Sequence, residues 1–394
     1  MTTQCVPAYG VDLFADAVIA DSYPHYKALR DLGPAVWLPQ HDCWAIARFA
    51  DVRDTLKNDA VFISGEGVML NDPTNEMTRD SLICLDGLAH RRQRMIVATP
   101  VLPGGLEPLR AKIEALAASR ADELVARGRF DGVTDFAHYL PLSVVSHIVG
   151  LPEAGREKLL EWAFHIFNTF GPLNERCAAG LEQAGLAMAF VGQIDPKSML
   201  PGSWGAHLFA MAERGEITDH QARSLMMSYV APALDTTINA TSSALWLLGQ
   251  NQDQWEEARQ DPALMTAAIE EAMRVESPVR GFARVTAEDA DVDGTVIPKG
   301  DRVLVLYASA NRDERHWPNP ETFDIHREGL RDQLAFGAGA HTCVGMHLAR
   351  LEMRCLFGAL AKKVKRFEVA NPLRATHNVL RGLKSLDVTI VEQA

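Results

Sequence analysis

The stretch Phe336-Gly337-Ala338-Gly339-Ala340-His341-Thr342-Cys343-Val344-Gly345 decides the reading of this chain. It runs directly into the apolar-periodic segment Met346-His347-Leu348-Ala349-Arg350-Leu351, so one cysteine among small residues stands at the start of an expected helix. A helix start turns unpaired backbone N–H groups and the positive end of the dipole towards the sulfur, which favours thiolate over thiol. A thiolate is a good metal ligand. Gly337, Gly339 and Gly345 remove side chains where the backbone must curl round the sulfur and where a flat group must come close.

Two blander readings compete. A turn with a buried cysteine is the commoner fate of a lone cysteine. Zinc would need further ligands, and no second cysteine lies at ligand spacing near Cys343. Against both, Phe336 can cover the sulfur and His341 can reach a carboxylate at the edge of a flat cofactor such as haem. The full pattern, aromatic-Gly-x-Gly-x-His-x-Cys-x-Gly with Ala349 beyond it, resembles the haem loop of cytochromes P450. The resemblance runs from about Tyr23 to Val388. It implies a mainly α fold with small β-sheets and a single domain over residues 1–394. It also implies haem b between a long buried helix and the helix after the cysteine loop, with Cys343 as the axial iron ligand.

Length and composition fit this. The chain has 394 residues, 47% hydrophobic and 23% charged, enough for a large core, and length alone would allow two or three domains. The net charge of −12 carries no basic tail, which argues against nucleic acid as the main partner. Six cysteines, at 5, 43, 84, 177, 343 and 355, show no paired spacing, so a reducing compartment is expected and a disulfide framework is not. Met1-Thr2-Thr3-Gln4 opens no basic-then-apolar leader, so a soluble cytoplasmic protein is expected. The apolar run from Leu225 to Leu248 contains Pro232, Asp235 and Asn239, which fits a buried helix better than a membrane span.

The local pattern predicts a helix over Tyr23–Arg30 stopped by Gly33-Pro34, strands near Ala35–Leu38 and Cys43–Arg48, and a helix over Asp51–Lys57. Ser64–Asp80 reads as an irregular flexible loop, which in the family lies over the substrate. Leu106–Ala187 is mostly helical, with breaks near Gly128, Pro152 and Pro172, and Val191–Ser203 loosens as a mobile lid would. Strands are expected around Ala283–Thr286 and Arg302–Leu306.

In the long buried helix, Val230-Ala231-Pro232-Ala233-Leu234-Asp235-Thr236-Thr237 is the candidate oxygen-handling segment. Pro232 has no N–H to give the Ser228 carbonyl, so the helix should kink where Asp235 and Thr236 lie. The resemblance makes these two the acid–alcohol pair that delivers protons, with Pro232 and Ala233 departing from the family's usual Ala and Gly. His90 and Arg94, four apart, share a helix face and could hold a carboxylate or simply be solvated. In the family the matching pair, with residues at the positions of Arg284 and His341, binds the haem propionates. Glu271 and Arg274 match a buried family pair whose usual third member, an arginine, is here Thr322, leaving Arg327 as the available replacement.

Several stretches, among them Phe167-Asn168-Thr169-Phe170-Gly171-Pro172, resemble the P450s that hydroxylate or demethylate para-substituted benzoic acids. This implies an aromatic-lined slot at Phe167, Phe170, Val279 and Phe282, with polar anchors at Arg79, Ser81 and Ser228. A second arginine of that group is Met227 here. The expected activity is O₂-dependent insertion of one oxygen atom into a small aromatic substrate. A terpenoid substrate, a peroxygenase or isomerase, and a haem gas sensor are the competing functions. No reductase domain is present, so a separate ferredoxin or flavoprotein donor is expected, docking on basic residues such as Arg91, Arg92, Lys362, Lys363 and Lys365.

Overall fold

Apolar residues at helical spacing build the frame, and breakers end its parts. The computed structural model describes residues 6–152, 158–230 and 232–394. Helix α1, Tyr23–Leu32, carries Pro24 in its first turn and stops at Gly33. Next come α2, Gly87–Ala98, and α3, Pro103–Arg127, which ends on Gly128 at φ 70°. Helix α4 spans Leu159–Asn168 and α5 spans Glu175–Gln193, the latter capped by the Asn174 side chain. Helices α6, Asp219–Val230, and α7, Asp235–Gln250, cross the interior. Helix α8, Pro262–Val275, starts from an Asp261 cap, and α9, Met346–Ala361, follows the cysteine loop.

A five-stranded sheet flanks the helices in the order Val36–Leu38, Cys43–Ile46, Arg302–Val305, Phe282–Thr286, Phe62–Ile63. Its central pairing sets Phe282 against Val305 and Arg284 against Val303, which fixes the faces on which Phe282 and Arg284 project. A three-stranded sheet of Arg129–Asp131, Leu383–Gln393 and Val364–Arg374 closes the other side. Ile113 of α3, Leu245 of α7 and Phe357 of α9 are buried in one large apolar cluster. The five described cysteines are all free, and Cys5 lies outside the described residues.

Two expectations change. The long buried helix is two helices: α6 stops at Val230, residues 232–234 form a turn, and α7 begins at Asp235, with Ala231 outside the described residues. A proline that would cost about 3 kcal/mol inside a helix is accommodated by ending one helix and starting another. The Ser64–Asp80 segment is anchored. Asn71 caps the short helix Asp72–Met77, and its Nδ2 donates to the carbonyls of Thr169 (2.7 Å) and Gly171 (2.8 Å). Leu70 N–H adds a bond to the Phe170 carbonyl at 3.0 Å, so this loop clamps the turn that carries the expected aromatic slot.

At Glu271 the replacement named from sequence is in place. Arg274 and Glu271, both fully buried, pair at 2.7 and 2.8 Å, and Arg327 Nε reaches Glu271 Oε1 at 2.9 Å. The arginine missing beside Phe323 is replaced from Arg327. Arg274 also donates to the carbonyls of Asn311 and Pro320, while Asn311 Oδ1 accepts from Leu334 N–H at 2.7 Å. This buried network fixes the segment that leads into the cysteine loop.

Candidate active site

The cysteine loop curls because Gly337 sits at φ 68°, in the left-handed region that side chains disfavour. Gly339, at φ 72°, has a different task from the one expected. A Cβ there would meet the Leu56 carbonyl at 2.1 Å, so this glycine lets the loop press on the helix Phe49–Lys57. Cys343 N–H donates to the Phe336 carbonyl at 2.8 Å, closing the loop, and the Arg350 guanidinium lies over the Phe336 ring at 4.6 Å. Arg350 is in turn held by Glu270 at 2.6 Å.

Cys343 opens onto a cavity of about 550 Å³ between the α6–α7 break and the start of α9. Burial raises its thiol pKa, and this outweighs the opposing pull of the Gly345 and Met346 N–H groups, Arg94 and Arg350. The helix start places donors on the sulfur, and a bound metal cation would favour the thiolate further. Among the described residues no cluster of three or more His, Cys, Asp or Glu could hold a metal ion, so the chain offers Cys343 as a single ligand and not a zinc cage.

His90, Arg94, Arg284 and His341 all line this cavity. The His90 and His341 rings stack with centroids 4.0 Å apart, and His90 Nε2 is buried without a partner. His341 Nε2 lies 3.3 Å from Ser64 Oγ. Burial, then Arg284, His90 and Arg94, push the His341 pKa down to about 3, while burial and Arg94 lower that of His90. Arg94 bonds the Thr342 carbonyl, and Arg284 bonds the Ala283 carbonyl at 2.7 Å. Among the described residues none of the four is ion-paired to a carboxylate within the chain. Donors gathered with no anion beside a cavity-facing sulfur fit a planar cofactor with a metal at its centre and carboxylates at its edge. Haem meets that description.

Across the cavity, Pro232, Ala233, Thr236, Thr237 and Ala240 form the wall. Thr236 Oγ1 donates to the Pro232 carbonyl at 2.8 Å, so the turn that replaces the expected kink holds the hydroxyl. Asp235 does not line the cavity. It is buried, its Oδ2 has no partner, and burial raises its pKa to about 7.

The seven expected substrate contacts, Arg79, Ser81, Phe167, Phe170, Ser228, Val279 and Phe282, all line the same cavity. Phe170 links the aromatic set, with centroids 5.5 Å from both Phe167 and Phe282. Arg79 is largely exposed and bonded to Glu76.

Sequence reasoning missed two contributors. Ala184, Met188 and Val191 form a stripe of α5 on the cavity wall, a helical spacing visible in the sequence. Glu352 of α9 also lines it, with both carboxylate oxygens unpartnered and its pKa raised by burial to about 8. A lone acid between Leu351 and Met353 is the signal that singled out Asp235, and it applied here equally.

A family profile described as Cytochrome P450 matches residues 247–388. The chain is 39% identical to cytochrome p450 CYP199A2 of Rhodopseudomonas palustris, covering 98% of this chain and 95% of that one. It is 31% identical to cytochrome P450-terp of a Pseudomonas species, covering 93% and 92%. Among solved structures, the P450 heme domain of Tepidiphilus thermophilus matches with a TM-score of 0.83 at 25% identity over 96% of each chain. Among the described residues no helix is long and apolar enough to cross a membrane.

Proposed function

The chain belongs to the cytochrome P450 family and is a haem-dependent monooxygenase, and from that premise we propose that residues 1–394 form one haem domain in which Cys343 is the iron ligand. His90, Arg94, Arg284 and His341 hold the two propionates, and Phe336 covers the sulfur. The observation that carries this reading is the set of four donors, none of them ion-paired to a carboxylate among the described residues, gathered on one cavity with Cys343. When bound, haem supplies oxygen activation and electron storage.

The chain's own residues supply position, dryness and protons. Thr236 Oγ1 faces the cavity with free lone pairs while its hydrogen rests on the Pro232 carbonyl. Asp235, with a pKa of about 7, can hold or release a proton behind that wall, adjacent in the chain to the cavity-facing Thr236. Phe167, Phe170, Val279 and Phe282 hold a flat ring and exclude water from it.

The substrate is a small aromatic compound, a para-substituted benzoic acid or a related phenol, oriented at its far end by Arg79, Ser81 and Ser228. One atom of O₂ enters a C–H bond and the other leaves as water, with two electrons and two protons consumed. Where the carbon is a methoxy methyl, the product hemiacetal collapses to a phenol and formaldehyde. Electrons come from a separate ferredoxin or flavoprotein with its reductase, in the cytoplasm. The test is turnover of 4-methoxy aromatics with a surrogate ferredoxin system. Equimolar formaldehyde and phenol support the reading, and turnover of a monoterpene in preference to every small aromatic refutes the substrate class.

A further inference from the structure

We infer that the far end of the substrate is a neutral hydrogen-bonding head, a phenol or primary alcohol, and not a carboxylate. The inference rests on the small-aromatic reading above and narrows it. It follows from where the cavity's cations are spent. At the haem end, His90, Arg94, Arg284 and His341 are committed to propionates. At the other end the lining contributes Arg79, His220 and Arg223, and all three already face acids.

Arg79 closes on Glu76, with the two side chains 64% and 71% exposed, so the pair sits at the rim and not over the slot. Arg223 gives Nε to Asp219 at 2.7 Å and Nη1 to the Val191 and Ile194 carbonyls at 2.7 and 3.1 Å, capping the end of α5. His220 Nε2 stands 3.7 Å from Asp80 Oδ2. Glu76 and Asp80 themselves line the cavity. Met227 lines it too, with a thioether that cannot answer a charge.

A carboxylate seated here would have to take Arg79 from Glu76 and stand near two acids, or lose its hydration without a fixed cation. Two hydroxyls are on offer instead. Ser81 Oγ is buried with no hydrogen-bond partner, and Ser228 lines the wall one residue after Met227. A serine hydroxyl both donates and accepts, which matches a phenol or alcohol O–H and needs no compensating charge.

The test uses the haem-loaded protein at neutral pH and reads dissociation constants from the substrate-induced spin-state shift. The ligands are 4-methoxyphenol, 4-methoxybenzyl alcohol, 4-methoxybenzoate and a monoterpene alcohol. The expected result is that a neutral aromatic binds about tenfold or more tightly than the benzoate, that Ser81→Ala weakens the neutral ligand, and that Met227→Arg raises benzoate affinity relative to the phenol by about tenfold. Benzoate binding as tightly as the phenol or tighter, and lost in Arg79→Ala, overturns the neutral-head inference and leaves the aromatic slot standing. A terpene bound more tightly than every aromatic overturns the reading beneath it.

Discussion

Thr236 and Asp235 are adjacent in sequence yet occupy different environments, one on the cavity wall and one behind it. Thr236→Ala removes the hydroxyl that touches the cavity. It should bind substrate and draw electrons normally while hydrogen peroxide rises to most of the electron flux, measured as peroxide formed per NADH consumed. Asp235→Asn keeps shape and removes the titrating group near pH 7, so it should slow turnover about tenfold or more with coupling retained. Full coupling in Thr236→Ala would show that the hydroxyl has no part in proton delivery. The cysteine loop was legible because its glycines and Cys343 sit in a long contiguous pattern. Glu352 was not read, although its apolar neighbours marked it. As at Asp235, burial raises its pKa, here to about 8, and its titration has a sign. The native protein binds this proton more tightly than the unfolded chain, so stability falls as pH rises from the ordinary carboxylate range through about 8. Glu352→Gln should flatten that loss, measured as the melting temperature of the haem-loaded protein across the window.

Among elements, α1 lies within a few residues of its expected ends, Tyr23–Leu32 against Tyr23–Arg30. At the break between α6 and α7 the sequence predicts a kink, because it shows that Pro232 lacks a donor and does not show whether the neighbouring carbonyls find other partners. Here Thr236 takes the Pro232 carbonyl, and the turn is satisfied locally. The partner of Glu271 was legible as a candidate: Thr322 leaves the arginine position without a charge, Arg327 is the available replacement, and the folded loop brings it to 2.9 Å from Glu271. Removing one member of a buried charged set leaves the others uncompensated. Arg274→Ala should therefore cost about 3–5 kcal/mol and lower haem retention, read by denaturant melts and the haem-to-protein absorbance ratio. Arg327→Ala should be milder, because Arg274 still pairs with Glu271 through two bonds.

At the scale of the whole molecule the electron donor must reach the side of the protein that carries the cysteine loop. Of the basic residues proposed from sequence, Lys363 is paired with Asp122 and Lys365 with Glu392. Arg91 and Arg92 are exposed on α2, which also carries His90 and Arg94, and Leu88 and Met95 are exposed beside them at 66% and 71%. This mixed surface fits an acidic iron–sulfur or flavin protein better than scattered lysines do. Under limiting donor, Arg91→Glu with Arg92→Glu should raise the KM for donor about tenfold, and the wild-type rate should fall as salt rises. Lys363→Gln should do little.

All of this depends on one bond, between Cys343 and haem iron. Reduction of the purified haem-loaded protein under carbon monoxide measures it directly. The Soret band should lie at the long-wavelength position given by a thiolate ligand, and be lost when Cys343 is replaced by histidine while the protein stays folded. A Soret band at the shorter position of neutral-ligand haem proteins in the intact native protein, or the thiolate position kept in Cys343→His, would contradict it.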